Sequence, residues 1–173
     1  MKVDNHGAHI DQMLRQTRVH HVQLSMMADQ KASMLLTVCA IIIPLTAHFL
    51  SVPLFRLVAI TLICFSMLTM LLAIYTAMPS IHKPKNVNID APSFNLLFFG
   101  DFISLEYEEY AHLMEGICND PSKVYEVQIQ ETYFLGQYLA NHKYKYLRRA
   151  YLAFLGGIVT SGIVWLATAI MFS

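Results

Sequence analysis

Long apolar runs alternate with polar stretches along the chain, and they set its predicted architecture. One run extends from Ala32 to Met78, with Arg56 as its only charged residue. Ser51-Val52-Pro53 divides this run into two pieces, which as helices reach about 28 and 37 Å at ~1.5 Å per residue. Because the hydrocarbon core of a bilayer is roughly 30 Å thick, each piece is long enough to cross it. The sequence therefore predicts a transmembrane hairpin.

Two further patterns predict long helices that enter the membrane. From Ala8 onward, apolar residues recur every three or four positions, which is the pattern of an amphipathic helix. No Gly or Pro separates it from the first span, so we predict one helix from about His9 to Leu50. A similar pattern runs from Pro121 without a breaker into a third apolar run, Tyr151 to Phe172, which has no charged residue.

The polar middle of the chain completes the predicted fold. Pro79 to Ser93 contains half of the six prolines and predicts an extended linker, while Leu105 to Ile117 has the periodicity of a short helix. We predict an all-α membrane protein with three transmembrane helices and a cytosolic helical layer, formed by extensions of the first and third spans plus the short helix. The predicted divisions are a cytosolic helix over 1–31, the hairpin over 32–78, the polar middle over 79–150 and the third span over 151–173.

Composition agrees with a membrane location. The chain is 55% hydrophobic and 14% charged, with a mean hydropathy of +0.44, whereas a soluble domain carries about 25% charged residues. Lys and Arg together equal Asp and Glu, at 12 each. Nucleic-acid binders usually show a basic surplus, so we expect no nucleic-acid polymer as a partner.

The distribution of cations predicts the orientation. Of the twelve Lys and Arg residues, only Arg56 flanks the short connection of the hairpin, and the other eleven lie on the opposite side of the predicted spans. The positive-inside rule assigns that side to the cytoplasm. We therefore predict a cytoplasmic N-terminus and an external C-terminus.

The sequence lacks the motifs of an enzyme. It contains no GxSxG, glycine-rich phosphate loop or HExxH, and its eight histidines are scattered. The adjacent His20 and His21 point about 100° apart on a helix and cannot grip one metal from the same face. We expect a protein that is not an enzyme, with no catalytic residues, no metal site and no cofactor.

Small residues in the third span predict a close helix contact. Ala153, Gly157 and Ser161 are four residues apart, a spacing that lets two helices approach closely. The partner is either the first two spans or another copy of the chain, and the first is favoured.

Two polar features remain as candidates for function. At the predicted membrane face, Asp29 and Lys31 are two residues apart and do not face each other on a helix, so we expect each to have a partner elsewhere. The segment Asn95 to Phe102 places three aromatic residues beside Gly100. It is either a buried anchoring loop or part of a small-ligand pocket, in which aromatic rings stack on a base and polar side chains contact its edge.

The segments Asp29–Leu36, Asn95–Phe102 and Lys145–Tyr151 resemble the transmembrane effector family of Pycsar antiphage defence, and the similarity spans residues 10 to 172. The resemblance implies a bacterial inner-membrane protein that senses cyclic UMP or cyclic CMP, made by a neighbouring cyclase after phage infection. It also implies that the protein compromises the membrane in response. Abortive infection would follow. We expect the lipid bilayer and other copies of the chain, in a homo-oligomer, as its partners.

We therefore expect a pocket between the cytosolic helices and the Asn95–Phe102 segment. In this hypothesis Arg18 or Lys31 contacts the cyclic phosphate, Phe98 or Phe99 stacks on the pyrimidine, and Asn95 or Asp101 contacts its edge. The alternatives are a constitutive membrane scaffold or anchor and an oligomeric channel with another trigger. The candidate ligand-binding residues are Arg18, Asp29, Lys31, Asn95, Phe98, Phe99 and Asp101.

Overall fold

The computed structural model describes residues 7–79 and 94–171, and within these ranges the chain is helical with no strand. The predicted all-α fold is confirmed. The predicted linker, Pro79 to Ser93, lies outside the described residues except for Pro79. The helices are α1 (Ala8–Ala47), a 3₁₀ turn (His48–Ser51), α2 (Pro53–Ala77), α3 (Phe99–Phe102), α4 (Tyr107–Cys118), α5 (Pro121–Tyr138), a π-helical segment (Leu139–Tyr144) and α6 (Lys145–Met171).

The hairpin connection is as tight as predicted. The 3₁₀ turn ends at Ser51, Val52 is extended, and Pro53 is the first residue of α2. Proline suits this position because its missing N–H has no partner in the first helical turn. Among the described residues, three helical segments are long and apolar enough to cross a membrane, and they lie within 8–51, 53–77 and 121–171.

The chain divides into two compact units. Unit 1 comprises residues 1–23 and 79–138, and unit 2 comprises residues 24–78 and 139–173. The chain passes from one unit to the other three times: within α1, after Met78, and between α5 and the π-helical segment. That π-helical segment was not predicted, because the apolar pattern runs through it without a Gly or Pro.

Small side chains form the core of unit 2. Its central cluster joins α1, α2 and α6 through Ala28, Ala32, Leu35, Ala73, Leu147 and Ala150. In α6, a β-carbon at Gly157 would stand 2.5 Å from the β-carbon of Phe65 on α2. The small-residue contact therefore lies within the chain, as favoured by the sequence.

Unit 2 buries hydroxyl side chains together with its small apolar residues and exposes large apolar side chains, unlike a soluble domain. Ser66, Thr69 and Thr76 are buried in it, while large apolar side chains such as Leu71 (65% exposed) and Ile163 (59%) face outward. The Thr69 hydroxyl donates to its own helix, to the carbonyl of Phe65 at 2.8 Å, as hydroxyls in spans commonly do. This arrangement fits lipid as the surrounding solvent.

Unit 1 is built from the start of α1 and from α3, α4 and α5. The side chain of Asp120 accepts a hydrogen bond from the N–H of Ser122 at 3.0 Å and so begins α5 as an N-cap does. The Phe102 and Tyr110 rings, 4.9 Å apart at their centroids, join the segment after Asn95 to α4. Leu14, Leu96 and Tyr125 are its buried apolar residues.

Candidate functional site

A cleft of about 290 Å³ lies between α1 and α5 within unit 1. Both helices line it with residues one turn apart, so each presents a single face. The lining residues are Asp11, Leu14, Arg15 and Arg18 from α1, and Gln128 and Thr132 from α5.

Polar contacts fix the two walls of this cleft. The Tyr125 hydroxyl on α5 donates to Oδ1 of Asp11 at 2.6 Å, and this hydrogen bond raises the pKa of the Tyr125 hydroxyl. Six residues further along α5, Oε1 of Glu131 lies 3.0 Å from Nη2 of Arg18. The first contact ties the start of α1 to α5, and the second holds one guanidinium group at the cleft.

The ion pair at the cleft is unevenly buried. The Glu131 side chain is 13% exposed and the Arg18 side chain 54%. Burial raises the pKa of the Glu131 carboxyl above its ordinary value, and the positive charge of Arg18 offsets only part of that effect. Because more than half of its side chain is exposed, Arg18 is accessible from solvent. A guanidinium group offers five N–H donors, so Arg18 has the capacity to contact Glu131 and an anion together.

The segment Asn95–Phe102 folds around its own polar residues. The Asn95 side chain accepts from the N–H of Leu97 at 3.0 Å, and the N–H of Asn95 donates to Oδ2 of Asp101 at 2.9 Å. The Gln130 amide of α5 donates to the carbonyl of Phe94 at 3.3 Å. Asn95 is buried, at 7% exposed. Through these hydrogen bonds Asn95 and Asp101 stabilise the segment itself. That they also contact a ligand stays a prediction.

The two phenylalanines of this segment are accessible. Phe98 is 40% and Phe99 51% exposed, and their ring centroids are 5.0 Å apart. A β-carbon at Gly100 would overlap the Phe98 ring unless that ring moved aside. The rings therefore offer an apolar surface, and neither lines the α1–α5 cleft.

The remaining candidate residues belong to unit 2. Asp29 is paired with Lys143, whose Nζ lies 2.6 Å from Oδ2 of Asp29, so its expected partner is found. Lys31 is exposed. Of the seven residues predicted to bind a ligand, Asn95, Phe98, Phe99 and Asp101 lie together in the segment that includes α3, and only Arg18 lines the α1–α5 cleft.

The lining residues Asp11, Arg15, Gln128 and Thr132 were not predicted from the sequence. A signal was present, because 11, 15 and 18 share a helix face, and 128 and 132 share another. What the sequence does not contain is which two faces meet. That pairing depends on the fold of unit 1.

A second cavity in unit 1, of about 610 Å³, lies between α4, α5 and the start of the Asn95 segment. Lys123 and His112 are its basic residues, Glu115 its acidic one, and Phe94 its aromatic one. It is larger than the α1–α5 cleft but has no arginine. Among the described residues, no group of three or more His, Cys, Asp or Glu side chains is placed to hold a metal ion.

Helices apolar enough to span a membrane, joined in one chain to a polar helical unit, define an α-helical membrane protein. The family model of the Pycsar effector protein domain, PycTM, matches residues 12–172, and the chain belongs to this family. The match covers both units, and membership implies an antiphage effector role. No curated protein and no solved structure matches the chain.

Proposed function

We propose that this protein is an inner-membrane effector that binds cyclic UMP or cyclic CMP in the α1–α5 cleft and permeabilises the membrane in response. The observation that carries the proposal is the pair Arg15 and Arg18 on one face of α1, opposite Gln128 and Thr132 of α5. Ligand pockets measure about 300–1,000 Å³. The cleft, at about 290 Å³, lies at the lower end of this range and suits a small ligand. The proposed ligand side is cytoplasmic.

The side chains of the cleft match the groups of a cyclic pyrimidine nucleotide. Guanidinium groups pair with phosphate oxygens through charge-assisted hydrogen bonds, which assigns the cyclic phosphate to Arg15 and Arg18. The Gln128 amide is both donor and acceptor and suits the edge of either uracil or cytosine. Asp11, which uses Oδ1 for Tyr125, offers Oδ2 to the ribose hydroxyl.

The position of the cleft offers a route from ligand to membrane. The cleft is lined by α1 and α5, and along the chain α1 continues into the first apolar span while α5 is followed by the π-helical segment and α6. A ligand that favours one packing of α1 on α5 therefore acts on the helical segments that precede the first and the third spans. Such a ligand shifts a conformational equilibrium only by its difference in affinity for the two states. We propose that the favoured state assembles copies of the chain.

Calorimetry on the full-length protein in detergent tests ligand binding. We expect heat of binding with cyclic UMP or cyclic CMP, and at least a tenfold loss of affinity in Arg15→Gln/Arg18→Gln, since hydrogen bonds to charged groups contribute about 1.5–3 kcal/mol each. Lys123→Gln, in the second cavity, is the matched control and should bind as the wild type does.

The two variants also distinguish the alternatives. Loss of binding in Lys123→Gln alone would move the site to the cavity between α4 and α5. No heat with either nucleotide at millimolar concentration would reject the proposal. A constitutive scaffold, or a channel with another trigger, would then be the better account.

A further inference from the structure

Positive charge is concentrated in the unit that contains the apolar spans. The sequence of unit 2 carries six Lys and Arg residues and a single acidic residue, Asp29, whereas unit 1 carries six and eleven. Asp29 is already paired with Lys143. The remaining cations of unit 2 therefore have no acidic residue of the same unit to neutralise them.

Three of these cations lie on one face of α6. Lys145, Arg148 and Arg149 follow at helix positions i, i+3 and i+4, and all three are exposed. With Leu152 at i+7 they line a cleft of about 570 Å³ that is completed by Ala140 and Tyr144. Lys145 is a helix-surface neighbour of both arginines at these spacings, and the shared cleft lets all three charges act on one ligand.

The cationic face continues directly into an apolar stripe. The exposed residues of α6 at the next turns of the same face are all large and apolar, and each is more than half exposed: Leu152, Leu155, Val159, Ile163 and Leu166. A ligand that covers both parts needs an anionic head and a long hydrocarbon tail. A free anion would contact only the cations.

Tyrosines mark the depth of this face. The rings of Tyr75 and Tyr146 are 4.5 Å apart at their centroids, and the guanidinium carbon of Arg149 lies 5.6 Å from the centroid of the Tyr146 ring. Tyrosine is enriched where a helix meets the lipid headgroups. The cation–π contact holds Arg149 at that level.

We infer that Lys145, Arg148 and Arg149 form a binding site for the phosphate of an anionic phospholipid, whose acyl chain lies along the apolar stripe that begins at Leu152. The site is separate from the α1–α5 cleft, and it does not depend on the proposed response to a nucleotide. Basic residues at a membrane surface attract anionic lipids, and basic pockets beside spans bind their headgroups.

Native mass spectrometry of the full-length protein in detergent tests the site. Phosphatidylglycerol is the probe, and phosphatidylcholine and inorganic phosphate are the two comparison ligands. Since each cation at a membrane surface is worth about 1 kcal/mol, we expect Arg148→Gln to weaken retention of phosphatidylglycerol about fivefold. The triple variant Lys145→Gln/Arg148→Gln/Arg149→Gln should weaken it about a hundredfold.

Two controls keep the result specific. Arg56→Gln removes an exposed cation at the start of α2 and should retain the lipid as the wild type does. The charge-preserving variant Lys145→Arg/Arg148→Lys/Arg149→Lys should also retain it, and retention there excludes general damage to α6 as the cause of the loss. Undiminished retention in the triple variant would overturn the inference.

The comparison ligands identify the source of the phosphate. Equal retention of phosphatidylcholine would show that charge does not select the lipid. Displacement of phosphatidylglycerol by inorganic phosphate at equal concentration would show that the face binds a free anion and that the apolar stripe contributes nothing. Either result would also overturn the inference.

Discussion

In unit 2 the ammonium group of Lys143 lies 2.7 Å from Oδ1 and 2.6 Å from Oδ2 of Asp29, so that it bridges both carboxylate oxygens. The Lys143 side chain is 12% exposed and that of Asp29 42%. The two residues are 114 positions apart, and Lys143 lies in the π-helical segment. The pair ties this segment to α1.

The unequal burial predicts unequal effects of removing each partner. Asp29→Asn leaves a nearly buried ammonium group without its counter-charge, and we expect a loss of about 2 kcal/mol in unfolding free energy. Lys143→Met leaves a half-exposed carboxylate that water can solvate, and we expect a loss of about 1 kcal/mol or less. Thermal unfolding in detergent measures both. Equal losses of unfolding free energy in the two single variants would contradict this assignment. The double variant Asp29→Asn/Lys143→Met should be no less stable than Lys143→Met alone.

The pKa of Glu131 predicts a pH dependence. Because burial raises this pKa in the folded state, the folded protein binds the proton more tightly than the unfolded chain does. The stability contributed by this group is fully present below the ordinary pKa of 4.5 and is lost as pH rises through the folded-state value. Glu131→Gln removes the cost of burying the ionised carboxylate. The unfolding temperature of this variant minus that of the wild type should therefore increase from pH 4 to pH 7.

The control for this experiment is Gln12→Ala, which changes an exposed amide of α1. Because neither side chain titrates, its difference from the wild type should stay constant over the same pH range. A difference for Glu131→Gln that shrinks as pH rises would contradict the account. Glu131→Gln should also bind the cyclic nucleotide at least as tightly as the wild type, because Glu131 and the phosphate both interact with Arg18.

Gly157 predicts a strict size limit in the membrane. A β-carbon at this position would meet the β-carbon of Phe65, which cannot swing aside, so Gly157→Ala must separate α2 from α6. Overpacking costs about 1–3 kcal/mol. Gly162→Ala, five residues along the same helix, meets no atom within 4 Å and should be tolerated. Equal thermal stability of the two variants would contradict the packing described for unit 2.

The segment after Phe94 offers a test of structure against ligand binding. If Asn95 and Asp101 serve the loop, Asn95→Ala and Asp101→Ala each lower thermal stability, by about 1 kcal/mol, and the double variant loses less than the sum because the residues share one network. Nucleotide affinity should change little. A large loss of affinity at unchanged stability would instead support the ligand role predicted from the sequence.

The membrane part of the fold was readable from the sequence because lipid imposes simple rules. Length and apolarity identify a span, and Pro53 with its neighbours marks the hairpin. The small residue Gly157 indicated a helix contact, and the favoured partner within the chain is the one found. The π-helical segment could not be anticipated, since no breaker residue accompanies it.

The candidate site was less predictable, because it depends on which helix faces meet. Arg18 was identified by its charge alone, whereas Arg15 and Gln128 gain significance only when α1 and α5 are placed together. The contact of Asp29 with Lys143 shows the same limit, since charge predicted that Asp29 has a partner but not which residue it is.

We propose above all that a cyclic pyrimidine nucleotide triggers loss of membrane integrity through the α1–α5 cleft. Release of a fluorescent dye from vesicles that contain the full-length protein measures this directly. We predict that cyclic UMP or cyclic CMP, added to the side that exposes unit 1, causes dye release with the wild type and with Lys123→Gln. The Arg15→Gln/Arg18→Gln variant should retain the dye at the same concentration. Release without nucleotide, or equal release from the double-arginine variant, would contradict the account.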